Sequence, residues 1–232
     1  MEIETPELLK PSFYLVSYTQ PAPGMVKRGV ETPLDLIAFC ARVSNPANQT
    51  NSETAAHLLR YLIRNKHWSP LEMVDVTFGV TTARDITHQQ VRHRSMAFQE
   101  FSQRYADVDD SRHCLREARL EHPTNRQSSL PCDDQTIIDQ WIQHQLEVLE
   151  VARRAYDWAR ANKIAKECAR VVLPEGLTLS DIYLKGSLRS WIHYIETRKP
   201  ETGTQSEHAD IALGLAQAIT EVFPANVLEI AQ

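Results

Sequence analysis

The sequence predicts an α+β fold: a mixed β-sheet packed with helices, in one domain spanning residues 1–232. Three observations point there. Runs rich in β-formers occur at 12–19, 74–80 and 177–184. Between and after them lie segments whose apolar residues recur at helical spacing. No repeat, low-complexity tract or long linker divides the 232 residues, a length that can bury a sizeable core.

Taken in order, Ser12 to Thr19 reads as a strand closed by the Pro-Ala-Pro-Gly turn at 21–24. Residues 33–43 carry Leu34, Leu36, Ile37, Cys40 and Ala41 at helical spacing. A helix over 52–66 follows, with Ala56, Leu59, Tyr61, Leu62 and Ile63 as its stripe and Ser52 or Thr54 as its cap. After Ser69-Pro70, the run 74–80 alternates with period two and reads as a half-buried strand. Residues 84–92 read as a short helix that delivers the arginine-rich stretch after it. Residues 107–134 are polar and aperiodic, a long loop of the kind that is functional or mobile. The strongest helical pattern covers 135–161, where Ile138, Ile142, Leu149, Ala152, Tyr156 and Ala159 oppose Arg153 and Arg160. Further helices are expected at 164–172, ending before Leu173-Pro174, at 188–197, and at 210–222 before Pro224.

A net charge of −5 argues against a general nucleic-acid binder, which needs a broad basic face. Positive charge gathers instead at 84–119 and 189–199, a pattern suited to small anionic substrates. No stretch approaches the apolar length of a membrane helix, and the acidic N-terminus lacks the marks of a secretory signal. Cys40, Cys114, Cys132 and Cys168 lack the spacing of a zinc knuckle or redox dithiol, so reduced thiols in the cytoplasm are expected. His88 and His93 are five apart and no His-Glu-x-x-His occurs, so no metal is expected. Neither a Gly-x-Gly-x-x-Gly nor a Walker-type loop exists. The phosphates of any bound dinucleotide must therefore be held by side chains and helix ends.

The most informative stretch is Arg92-His93-Arg94-Ser95-Met96-Ala97-Phe98-Gln99-Glu100-Phe101-Ser102-Gln103-Arg104-Tyr105. Each guanidinium offers a planar fork of donors matched to phosphate and carboxylate. With Glu100, the three arginines suit an anionic, hydrogen-bonding ligand such as a nucleotide. A solvated charged turn is the alternative, weakened by the interleaved Phe98, Phe101 and Tyr105.

This stretch resembles the signature of the flavin-dependent thymidylate synthases: Arg-His-Arg, seven residues, then serine, here ending at Ser102. His67 to Glu72, Ala169 to Pro174 and Ser187 to Arg198 resemble further segments of that family. The resemblance implies that family's fold, not a Rossmann fold. It implies FAD contacts at Ser69, Arg92, His93, Arg94, Glu100, Ser187, Arg189 and His193. It implies dUMP contacts at Gln89, Gln90, Arg92, Glu100, Ser102, Gln103, Arg104, Arg170 and Arg198. Arg198 is implied as the catalytic residue, stabilising negative charge on the uracil when C5 becomes nucleophilic. Residues 189, 193 and 196 have the spacing to share one helix face.

Some alternatives stay open. Ser102 is either a ligand contact or a nucleophile toward C6, and its neighbours supply no convincing base for the second role. Ser69 is expected to approach FAD from a neighbouring subunit, with His67 as a weaker candidate; a capping serine and a histidine at a helix C-terminus are the plainer reading. Ala97, Gln99, Ser187 and His193 depart from the residues commonest in the family. The reaction implied is conversion of dUMP to dTMP with 5,10-methylenetetrahydrofolate, FAD and NADPH, without a cysteine nucleophile, in a homotetramer with shared active sites. A different class also fits the arginine–aromatic segment: a non-enzymatic RNA- or nucleotide-binding module, colourless where a flavoprotein is yellow.

Overall fold

The computed structural model describes residues 6–224; the acidic residues 1–5 lie outside them. The chain runs β1 (Ser12–Tyr18), α1 (Pro23–Val26), α2 (Pro33–Ala41), α3 (Ala55–Arg64), β2 (Asp75–Ala83) and α4 (Arg84–Gln90). It continues through β3 (Ala97–Glu100), β4 (Arg119–Glu121), β5 (Ser129–Pro131) and α5 (Gln135–Ala161). It ends with α6 (Lys166–Ala169), β6 (Leu179–Ser187), α7 (Leu188–Arg198) and α8 (Ser206–Val222). The α+β expectation is met.

Four strands form an antiparallel sheet in the order β1-β2-β6-β3. The central pair, β2 and β6, stays in register from Asp75 opposite Ser187 to Ala83 opposite Leu179. Period-two alternation sends Val76, Phe78, Val80, Ile182 and Leu184 to one face, where all are buried. Helices cover that face: Leu188, Trp191, Ile192 and Ile195 from α7, Ile211, Leu215 and Ile219 from α8, and Ile37, Leu59 and Leu62 from α2 and α3. Trp191 meets Phe78 edge-on at 5.1 Å and donates its indole N–H to the Val76 carbonyl at 3.0 Å. That pins α7 to the sheet.

Several boundaries differ from the sequence reading. β2 and β6 run three residues further than expected at their C-terminal ends, to Ala83 and Ser187. β3, inside the arginine motif, is a four-residue edge strand paired with β6. The expected helix at 164–172 is a four-residue α6 followed by a 3-10 turn, and α8 starts four residues early at Ser206. Thr54 occupies the cap position of α3 without capping it. Its hydroxyl instead accepts from Arg42 at 2.7 Å.

The 107–134 segment is more ordered than a bare loop. It contains the small β4–β5 hairpin, and Leu115 packs with Leu149 and Leu177. Its anchor is Arg116, whose side chain pairs with Asp85 of α4 at 2.9 Å and Glu207 of α8 at 2.6 Å. The same guanidinium donates to the Gly176 carbonyl at 3.0 Å. The backbone of Arg116 is held by α5: its N–H reaches Gln145, and its carbonyl accepts from Trp141 and Gln145. Burial alone would raise the Glu207 carboxyl, but the charge and hydrogen bonds of Arg116 hold it below its ordinary value.

Replacing Arg116 by Met leaves two carboxylates facing each other in a largely buried place. It is expected to lower stability by about 3–5 kcal/mol, read from urea unfolding. In the wild type, the contribution from Glu207 is complete above the ordinary carboxylate pKa of 4.5 and is lost as pH falls through the lowered value.

Candidate functional site

Where α4 ends, the chain coils through successive tight turns. The His93 N–H reaches the Gln90 carbonyl at 3.1 Å, and the Met96 N–H reaches the His93 carbonyl at 3.1 Å. This turns His93 inward, 8 % exposed, and leaves Arg92 and Arg94 at the surface. Neither arginine forms an ion pair among the described residues, so both charges remain available.

Helix α7 meets this coil. Arg198 donates from Nε to Nε2 of His93 at 3.0 Å and from Nη2 to the Gln89 carbonyl at 3.4 Å. To accept, His93 Nε2 must be unprotonated. Burial first, then the Arg198 charge, then His193 press the ring pKa from 6.5 down to about 4. His93 is therefore a neutral imidazole that orients the guanidinium without pairing it. At the other end of α7, the Ser187 hydroxyl caps the helix by accepting from the Ser190 N–H at 3.3 Å. The Ser190 hydroxyl donates to the Ser95 carbonyl at 3.1 Å. Both ends of α7 are thus tied to residues 89–95.

As the spacing predicts, Arg189, His193 and Glu196 share the outward face of α7. With Trp68, Glu72, Ser95 and Ser190 they line a cleft of about 420 Å³. Arg189 is ion-paired with Glu72. Ser69 begins the 3-10 turn that carries Glu72 and is exposed.

A second group lies at the far end of β3. Phe101 continues the ladder to Asp181, and Ser102 follows on an exposed turn. Gln103 is buried, Arg104 pairs with Glu167 at 3.1 Å, and Arg170 lies on the turn after α6. No hydrogen bond or ion pair joins Ser102, Gln103, Arg104 or Arg170 to the His93–Arg198 group among the described residues. β3, about 10 Å long, lies between them along the chain. Glu100 stands between them, its Oε1 accepting from Thr87 and Ser180, each at 2.8 Å, and 3.4 Å from Arg84.

Comparison with known proteins fits this arrangement. Residues 27–225 match the family described as thymidylate synthase complementing protein. The chain belongs to this family. A Paramecium bursaria Chlorella virus 1 protein named "Probable flavin-dependent thymidylate synthase" is 46 % identical, covering 90 % of this chain and 94 % of its own. The Synechocystis flavin-dependent thymidylate synthase is 46 % identical over 83 % of this chain and 87 % of its own. The crystal structure of the Streptomyces cacaoi UMP/dUMP methylase PolB, bound with 5-Br dUMP, superposes with a TM-score of 0.80. It is 25 % identical and covers 96 % of this chain and 95 % of its own.

Within this member of the thymidylate synthase complementing family, a buried polar chain runs behind the site. Gln90 donates to the Tyr194 hydroxyl at 3.4 Å, that hydroxyl lies 2.9 Å from Nε2 of His208, and Nδ1 of His208 lies 3.2 Å from Oε1 of Gln89. Burial, then the Arg198 charge, press His208 down to about 3. Sequence reading missed His208, Tyr194 and Arg116. Only His208 left a trace: it occupies the apolar stripe of α8 with Ile211, Leu215 and Ile219. All four cysteines are free, and burial raises the Cys114 thiol to about 11, which makes it a poor nucleophile. Among the described residues no His, Cys, Asp and Glu cluster is placed to hold a metal ion, and no helix is long and apolar enough to cross a membrane.

An imidazole ¹⁵N titration checks the electrostatics. His93 and His208 are expected to stay neutral from pH 7 to pH 5. Unfolded histidines protonate near 6.5, so the folded state loses stability as pH falls from 6.5 toward about 4.

Proposed function

We propose that this protein is a flavin-dependent thymidylate synthase that methylates dUMP to dTMP. The carbon comes from 5,10-methylenetetrahydrofolate, and NADPH-reduced FAD carries the hydride. The observation that carries this reading is the Arg198 guanidinium, oriented by neutral His93 beside Gln89 and unpaired with any carboxylate among the described residues. A fixed cation without a counter-charge is what a developing anion on a pyrimidine needs.

The residues also suit FAD. Arg92, Arg94 and Arg189 offer guanidinium forks to a diphosphate, while His193, Ser187 and Ser69 offer hydrogen bonds around the α7 cleft. When bound, FAD supplies the hydride chemistry. The chain supplies position and charge. Gln89, Arg92 and Arg198 hold the base edge of dUMP, while Gln90, expected from the sequence to touch it as well, is fully buried behind them against Tyr194. Ser102, Gln103, Arg104 and Arg170, with Glu100 set between the groups, hold its sugar and phosphate. Ser102 acts as a ligand contact, since no base is bonded to its hydroxyl among the described residues. Arg198 stabilises the negative charge that develops on the ring when C5 becomes nucleophilic.

The two residue groups serve one site when copies of the chain assemble, and we assign a homotetramer with shared sites. Two exposed apolar stretches support assembly. Phe13, Tyr14, Leu15, Val16 and Tyr18 are all exposed on edge strand β1. On α5, Ile137, Trp141, Val148, Val151 and Trp158 form an outward stripe, Trp158 being 64 % exposed. One catalytic domain over residues 1–232 and a cytoplasmic location, suited to four free thiols, complete the reading.

Release of tritium from C5-tritiated dUMP by the yellow protein, dependent on folate and NADPH, tests the function. A colourless protein without release refutes it. Arg198→Ala is expected to cut turnover by about 10²–10³ while flavin absorbance is retained. Arg198→Ala and Arg170→Ala proteins, each inactive alone, are expected to regain part of the activity when refolded together. Failure to complement, with mixed assembly verified by mass, refutes shared sites.

A further inference from the structure

We propose that His208 is a positioning residue: it holds the Gln89 side-chain amide with its N–H group toward the ligand, so that the site selects a pyrimidine bearing a carbonyl at C4. This rests on the thymidylate synthase reading and deepens it.

His208 is fully buried, and a ring with two nitrogens in that place needs two partners. It has them, Tyr194 on Nε2 and Gln89 Oε1 on Nδ1. A neutral imidazole has one donor and one acceptor. Gln90 donates to the Tyr194 oxygen, which leaves the Tyr194 proton for His208 Nε2. The remaining His208 proton sits on Nδ1 and goes to Gln89 Oε1 at 3.2 Å. With its oxygen committed, Gln89 turns its Nε2 the other way, where one N–H donates to Gln205 at 2.8 Å. Four groups, Gln90, Tyr194, His208 and Gln89, therefore point their protons in one direction, and Gln205 accepts the last. Gln89 is only half-buried, so the second N–H of its amide is the one a ligand meets.

The same residue's backbone carbonyl is bonded to Arg198, which sets the Gln89 amide and the Arg198 guanidinium side by side. When C5 of a uracil becomes nucleophilic, conjugation carries its electron pair through C4 to O4. Two donors there hold that charge. A cytosine carries an amine at C4, which confronts the same donors with another donor and leaves them unpaired.

Dissociation constants for dUMP and dCMP on FAD-loaded protein, measured by calorimetry, test the assignment. Wild type is expected to prefer dUMP. His208→Leu, which frees the amide to flip, is expected to lose about tenfold or more of that preference. His208→Asn, whose amide can replace the Nδ1 donor, is expected to keep most of it. Melting temperature and flavin absorbance identify a variant that has not folded. Should the leucine variant not fold, Gln89→Glu decides: an oxygen facing the ligand is expected to erase the dUMP preference. An unchanged preference in a folded His208→Leu or Gln89→Glu protein overturns the proposal. So does a wild-type preference for dCMP, which would mean that the chain of hydrogen bonds runs the opposite way. Wild type that binds neither nucleotide overturns the thymidylate synthase reading, and this one with it.

Discussion

One guanidinium ties α4 to α8 by charge. Asp85 and Glu207 stand on these two helices, and Arg116 draws both carboxylates to itself while its backbone is held by α5. Through this contact are oriented the helix that carries Gln89, the helix that carries His208, and Gln205 just before that helix. Pulling three charges out of water is unfavourable, and their mutual attraction offsets that only with complete hydrogen bonding. Here the fork also reaches the Gly176 carbonyl, so the guanidinium is well satisfied. The long polar segment 107–134 is thus a strap across the helices that build the site.

From this frame the site follows in layers. The buried layer contains neutral rings and amides: His93, Tyr194, His208 and Gln90. Burial raises the Tyr194 hydroxyl well above its ordinary value, so it keeps its proton, while both histidines stay uncharged. The outer layer contains Arg92, Arg94, Arg189 and Arg198. Charge faces the ligand, and direction is imposed from behind by groups that do not ionise. Such an arrangement keeps Arg198 aimed without neutralising it, while among the described residues Arg189 alone of the four is paired, with Glu72.

Much of the fold was legible in the sequence because burial imposes a period. Val76, Phe78 and Val80 alternate, and Leu149, Ala152, Tyr156 and Ala159 recur at helical spacing, whatever their partners. The small elements were not legible. β3 has four residues in an arginine-rich motif, and β4 and β5 have three each, too few to show a period. Some helix bounds misled as well, since α8 starts at Ser206 and only four residues of 164–172 form α6. The ends of α3 and α5 were legible although no glycine marks them. α3 and α5 are closed by Lys66 and Lys163 at φ 57° and 61°, where sequence rules look for glycine. In the site, the arginine motif and the outward face of α7 could be read directly, since residue type and spacing carry them. Arg116 and His208 could not, because their partners lie 91 and 119 residues away along the chain.

Helix α7 interleaves two surfaces in eleven residues: Leu188, Trp191, Ile192 and Ile195 against the sheet, Arg189, His193 and Glu196 toward the cleft. Adding or deleting one residue would rotate everything beyond it by about 100°. Trp191 would swing toward solvent and Arg198 away from His93. Length changes among descendants of this sequence must therefore accumulate outside 188–198, and the surface turns joining the other helices are where insertions can be absorbed without trace.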